Sequence, residues 1–337
     1  MKNRVFYLDI IRILACIMII TIHAPIPNTG LDSYVLSSVS MLAAPGIGLF
    51  VMVSGALLLP INIPTKQFLQ RRFKKIVGPL LFWTLVSMII YVPRDTILSP
   101  HILSQLLSIP IQAQFSPILW FMYMLAGLYL LAPILSAWLR YATKRECRFY
   151  LCLWFITLCY PLVRTFLIIN ESYSGIFYYF SGYAGYFLLG YYIRMYVKSE
   201  SIWKSFLLLL IPISFAILLK IQRIQVPFYD MFWLLSVFTV MMCAAWFLLA
   251  KRIKITYDET IGWHKIVALV SNCCFGIYLI HIFIMRSIIW KWAWLYDLGT
   301  IQILIVTLLT FIGSFVVTWL ISCLPGAEYI VGFRQKI

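Results

Sequence analysis

Charge is scarce in this chain. Of its 337 residues, 11% are Asp, Glu, Lys or Arg, less than half of the roughly one quarter found in soluble domains. Acidic side chains number 11 against 27 Lys and Arg, and histidine occurs only four times. This deficit excludes a water-soluble globule: 63% of the residues are hydrophobic and the mean hydropathy is +0.94, so lipid has to cover part of the apolar surface. The formal net charge of +16 does not point to nucleic acid, because the cations fall in short segments between apolar runs. No CxxC pair exists among Cys16, Cys147, Cys152, Cys159, Cys243, Cys273, Cys274 and Cys323. Most of these lie in apolar runs, where cysteine is a small packing residue, and no metal site is expected because partners at ligand spacing are missing.

What the chain has in abundance is apolar length. A membrane helix takes about 20 mostly apolar residues, and candidates run over roughly 8–26, 35–60, 77–93, 117–138, 149–169, 175–196, 203–220, 227–250, 266–288 and 300–324. The polar interruptions near 61–76, 94–116 and 251–265 are too short to fold alone, so 1–337 is read as a single integral membrane domain. No small-residue cleavage site follows the first apolar run, which is read as a retained helix. With the N-terminus in the cytoplasm, inner segments hold twenty cations, including Lys2, Arg4, Arg71, Arg72, Lys74, Lys75, Arg140, Arg194, Lys251 and Lys336. Outer segments then hold Arg94, Lys220, Arg223 and Lys291 alone. That alternation predicts an all-α polytopic transmembrane bundle of about ten spans with both termini inside. The basic amphipathic stretch TKQFLQRRFKKI from Thr65 is expected at the inner interface, leading into the third span.

Ionisable groups within a span are costly and mark function more often than elsewhere. The first span carries three: Asp9, Arg12 three residues on, and His23 eleven residues after Arg12. At about 100° per residue, eleven steps return to nearly the same face and climb on the order of 16 Å. One stripe thus presents a cation near the inner surface and an imidazole in the outer half, which suits a reaction begun on one side of the membrane and finished on the other. Bland alternatives stand beside this reading: His23 as a headgroup-wetted helix end, and Arg12 as a snorkelling anchor paired with Asp9. The ninth span brings His281 to a comparable depth, with Arg286 one turn further out, and Arg164 sits in the outer half of the fifth. His101 and His264 fall in loops.

In their order along the chain, these residues resemble a known family. LDIIRILACIMIITIHA is similar to the opening pattern Leu-Asp-x-x-Arg followed by a His eleven residues later; GIGLFVMVSGALLL is similar to a Phe-rich stretch ending in Ser-Gly, here Phe50, Ser54 and Gly55. FLQRRFKKIVGP resembles the basic run into the third span that ends at a Pro, here Pro79. LWFMYMLAGLYLLAP, YAGYFLLGYYI and FGIYLIHIFI, the last with Gly276, Tyr278 and His281, complete a succession that covers nearly the whole chain. The family is acyltransferase family 3, the integral membrane O-acyltransferases of surface polysaccharides. Two departures occur: Ile118 stands where many members have a His before LWF, and Val51 replaces the second of two Phe residues.

The resemblance implies acetyl transfer from cytoplasmic acetyl-CoA, as co-substrate and not a resident cofactor, to a hydroxyl of a surface glycan or lipid-linked sugar in a bacterial cytoplasmic membrane. It further implies His23 as general base, since neutral imidazole suits proton removal near pH 7, with a transient acyl-imidazole on the same side chain as the alternative. Arg12 and Arg72, with Arg71 and Lys75, are assigned to the donor's phosphates, and Asp9 to orienting Arg12. Ser54 is either a small packing residue beside Gly55 or a donor contact. Trp120 and Tyr123 are either interface anchors or an aromatic face beside a sugar or pantetheine, while Tyr278 and His281 are candidates for the acceptor cavity. Gly182, Gly185 and Gly190 suit close helix approach. A transporter or exporter of a glycan or small acid could use the same architecture, although the paired repeats common in transporters are missing from the sequence.

Overall fold

In hydrocarbon no water is available to the backbone, so a spanning segment has to satisfy its own N–H and C=O groups, and apolar runs of this length become helices. The computed structural model describes residues 4–93, 100, 102–113, 115–167, 180–198, 201–224, 226, 228–258 and 260–335. Among these every regular element is helical: α1 Phe6–His23, α2 Ser33–Ala43, α3 Pro45–Leu58, α4 Thr65–Tyr91, α5 Ile102–Ser108, α6 Trp120–Leu139, α7 Lys144–Thr157, α8 Tyr160–Leu167, α9 Ala184–Tyr196, α10 Ile202–Ile221, α11 Phe228–Phe232, α12 Val237–Lys251, α13 Gly262–Ser287 and α14 Ile301–Ser322, joined in places by short 3₁₀ turns. Among the described residues, eight helical stretches are long and apolar enough to cross a membrane, and the shorter apolar α12 stands with them. The protein is a multi-pass helical bundle.

The expected spans are recovered, with four differences of physical interest. Span 35–60 is split between α2 and α3 because Pro45, at the first position of α3, brings no N–H to continue the helix. The basic stretch leads into the third span as expected, as the first part of the 27-residue α4. Span 149–169 starts earlier, at a Thr143–Glu146 capping box, and turns at Leu158–Cys159 into α8. Span 227–250 is broken between α11 and α12, where Ser236 caps α12 by accepting from the Thr239 N–H. His264 lies in the first turn of α13 and not in a loop. Lys2, Arg94, His101, Lys336 and the stretch 168–179, which holds the end of one expected span and the start of the next, lie outside the described residues.

Helix α3 is the central post, packed by α1, α9 and α12. Its crossing with α9 leaves no room for side chains: a Cβ on Gly55 would lie 1.8 Å from the Phe187 carbonyl oxygen, and one on Gly190 would lie 1.9 Å from that of Met52. Gly182 differs from its expected packing role, having open space at its Cβ position and a φ of +121°. Several basic residues also finish helices: Lys251 Nζ donates to the carbonyls of Ile193 (2.6 Å), Arg194 (2.8 Å) and Val197 (2.7 Å), closing α9, and Arg194 donates to Ala56 at the end of α3. Arg4 meets the start of α13 at Ala268 and Asn272, and Gly332 meets Phe275 and Lys75, so both chain ends lie at the basic end of the bundle. Gly190→Ala is expected to destabilise the protein by about 1–3 kcal/mol or more through overpacking, whereas Gly127→Ala, with nothing within 4 Å of the new methyl, is tolerated; thermal unfolding in detergent separates the two.

Candidate active site

Two cavities flank the opening helix. The inner one, of about 260 Å³, is lined by Arg12, Ser54, Lys75, Phe121, Tyr278 and Phe333, among others. Arg12 comes from the second turn of α1 and Lys75 from α4, so two cations converge on one space from different helices. Arg72 lies over the rings of Phe68 (5.5 Å) and Tyr129 (5.8 Å), and Tyr129 is itself a wall of the cavity. Arg71 is exposed and lines neither cavity. Ser54 Oγ donates back to the Phe50 carbonyl four residues earlier (2.9 Å), which commits its proton to the helix. The Tyr278 hydroxyl donates to the carbonyl of Ile118, so the position that lacks the usual His contributes a backbone acceptor.

Asp9 governs this end of the site. Its side chain is 4% exposed and accepts from Arg4 Nε (2.5 Å), from the Tyr257 hydroxyl (2.6 Å) and from the Ser271 hydroxyl (2.6 Å), with Arg12 Nη1 at 3.5 Å. Arg12 was the expected partner, but Arg4 is the closer one. The carboxylate is saturated by three other donors and fixes the Arg12 charge from one side, while that guanidinium lines the cavity. Burial, then donation to Asp9, push the Tyr257 phenol well above the usual range and keep it protonated.

The outer cavity, of about 550 Å³, holds His23 among Trp120, Tyr183, Trp233, Leu234 and Leu235. Three elements end or begin here: α1 stops at His23, α9 starts after Tyr183, and the backbone between α11 and α12 is irregular over 233–236. Irregular backbone at membrane depth is tolerable where it lines a cavity and its polar groups are satisfied. The Leu234 carbonyl accepts from the Tyr186 hydroxyl (2.6 Å) and that of Phe232 from Thr239 (3.2 Å). His281 is fully buried behind His23, with ring centroids 5.6 Å apart. Its Nδ1 lies 2.5 Å from the Tyr278 carbonyl, which can only accept, so Nδ1 carries the proton; the buried Nε2 has no partner among the described residues.

The two ends of the stripe open into separate cavities. A chain of rings leads from the wall of the inner cavity to the imidazole behind His23: Phe50 against Phe121 (6.1 Å), Phe121 against Tyr278 (5.3 Å), and Tyr278 against His281 (5.9 Å). The neighbours Trp120 and Phe121 face different cavities, outer and inner. Tyr123 lines neither and donates to the Ile109 carbonyl (2.5 Å), holding the loop before α6. Arg164 and Arg286 also line neither, the latter lying over Trp290 at 5.6 Å.

The model of a single family, described as an acyltransferase domain, matches residues 5–323, nearly the whole chain and every one of these helices. The chain belongs to acyltransferase family 3. Neither a curated protein nor a solved structure matches it. This membrane acyltransferase therefore carries its chemistry within a bilayer-embedded bundle. Residue patterns did not reveal that Tyr257 and Ser271 meet Asp9, because both lie far from it in sequence, that Arg4 turns back onto it, or that Tyr183 and Trp233, which look like ordinary span-end aromatics, line the outer cavity. Tyr257→Phe is expected to cost the acyltransferase about 1–2 kcal/mol, and Asp9→Asn about 3 kcal/mol, since it leaves the Arg4 cation without its counter-charge. An Asp9→Asn protein that melts with the wild type would refute this account.

Proposed function

We propose that this acyltransferase moves an acetyl group from cytoplasmic acetyl-CoA to a hydroxyl of a surface glycan or lipid-linked sugar, and that it works in a bacterial cytoplasmic membrane. One observation carries the reading: a single face of α1 puts Arg12 in a cation-lined cavity at the basic end and His23 in an aromatic cavity beyond it. Arg12 and Lys75 bind the donor's phosphates, with Arg72 and Arg71 adding to the local positive field. The aromatic faces of Trp120, Tyr183 and Trp233 suit the apolar faces of a sugar ring, while His23 meets its hydroxyl.

The His23 imidazole takes the proton of the attacking hydroxyl as that oxygen bonds to the thioester carbonyl carbon. The carbon–sulfur bond then breaks, and the proton passes from His23 to the thiolate, leaving an ester and free CoA thiol. Reacting atoms have to come within about 3–3.5 Å, so the donor arm displaces the rings of Phe121 and Tyr278 as it rises from one cavity to the other. Transport is the weaker reading, because the family match covers the helices that carry both cavities.

His23→Ala is expected to lower acetyl transfer by about 10²–10⁴-fold while leaving CoA binding intact, as followed with purified protein and isothermal calorimetry. Turnover at the wild-type rate would remove this imidazole from the mechanism. Arg12→Ala should raise the donor KM about ten- to hundredfold, the worth of one charge-assisted contact, and Arg12→Lys should fall between because it keeps the charge and loses the fork. Phe121→Ala is expected to increase acetyl-CoA hydrolysis in the absence of acceptor, measured as free thiol released.

A further inference from the structure

The segment after the last span lies beyond the residues matched by the family, which end at 323. It nevertheless builds a wall of the inner cavity through Val331, Gly332 and Phe333. Its course is held at several points. The Trp83 indole on α4 donates to the Ile330 carbonyl (2.9 Å), the Lys74 ammonium lies over the Tyr329 ring (5.9 Å), and the Gln335 N–H returns to the Ser322 carbonyl at the end of α14 (2.9 Å). Val331 is completely buried.

Gly332 is the tight point. Its φ is +78°, and a Cβ there would come within 2.5 Å of the Phe275 ring and 3.7 Å of the Lys75 carbonyl. That carbonyl is the one whose helical partner would be residue 79, and Pro79 has no N–H to give. Phe275 and Lys75 line the same cavity. Among the described residues nothing accepts the N–H of Gly332, Phe333 or Arg334, although Tyr329, Ile330 and Val331 before them and Gln335 after them all donate within the chain. Backbone donors are rarely left unmet away from bulk water. Arg334 is exposed to water, but Gly332 and Phe333 are half-buried and line the cavity, and their two N–H groups are what an extended, amide-bearing ligand would pair with, as a peptide pairs with an exposed strand.

We propose that this strap is part of the donor site, its Gly332 and Phe333 N–H groups pairing with the amide carbonyls of a pantetheine arm while Val331 and Phe333 cover its methylenes. The inference rests on reading the inner cavity as the donor's. Arg12 and Lys75 then hold the phosphorylated end, and the strap holds the arm that leads toward His23.

Isothermal calorimetry on the purified full-length protein tests this with two probes, CoA and adenosine 3′,5′-bisphosphate, which has phosphates but no arm. Trp83→Phe, which releases the Ile330 carbonyl and keeps the ring, and Gly332→Ala are each expected to weaken CoA binding about three- to tenfold, the worth of one or two neutral hydrogen bonds. Neither should change binding of the bisphosphate, whereas Arg12→Ala weakens both probes. Unchanged CoA affinity in both strap variants overturns the strap's role and leaves the acyltransfer reading standing. Equal weakening of the two probes also overturns it, since the strap would then act on the phosphate end or on the fold. A wild-type protein that binds neither probe overturns the donor assignment and the strap proposal together.

Discussion

The carboxylate of Asp9 is buried near the start of the first helix, and a charge so placed persists only where donors surround it. Arg4, Tyr257 and Ser271 supply them, from the segment before α1, the segment before α13 and α13 itself. Satisfying one carboxylate thereby ties three parts of the chain to the first helix at its basic end. It also fixes the register of α1 against α13, and with it everything those two helices carry further up. Cys16 beside the Cys274 carbonyl and His23 beside His281 follow from that register.

With the register set, the helix works as a ruler. Arg12 and His23 are held a fixed climb apart, and the elements that close around each end differ in chemistry. At the basic end Lys251 and Arg194 close helix termini and Arg140 holds the Ile61 carbonyl after α3, so these positive charges serve architecture, while Arg12 and Lys75 face a cavity. The far end is built from interrupted helices and aromatic faces. A polar, multiply charged donor and a ring-shaped, weakly polar acceptor are suited to those two environments in that order.

Much of this was legible from residue order. Ten apolar stretches give the helical bundle, and the eleven-residue step from Arg12 to His23 gives two side chains on one helix that each line a cavity. What stayed hidden depends on contacts between distant segments. Tyr257 lies in a polar loop and reads as a linker residue until it meets Asp9 (2.6 Å). Span 227–250 has the composition of one unbroken helix, and only the turn at Ser236 reveals that its first part lines a cavity. The separation of the two cavities was equally unreadable: Tyr278 stands out only as a candidate for the acceptor cavity, and its meeting with Phe121, and that of Phe121 with Phe50, is a property of three helices at once.

That meeting of rings has a consequence for the cell as a whole. A conduit roomy enough for a thioester arm, if permanently open from one face of the bilayer to the other, would also leak protons and small ions and discharge the gradients that the membrane maintains. Phe50, Phe121 and Tyr278 meet ring to ring, and under the acyl-transfer proposal that contact would serve as a gasket, parting only for the arm so that chemistry could cross a barrier that ions do not.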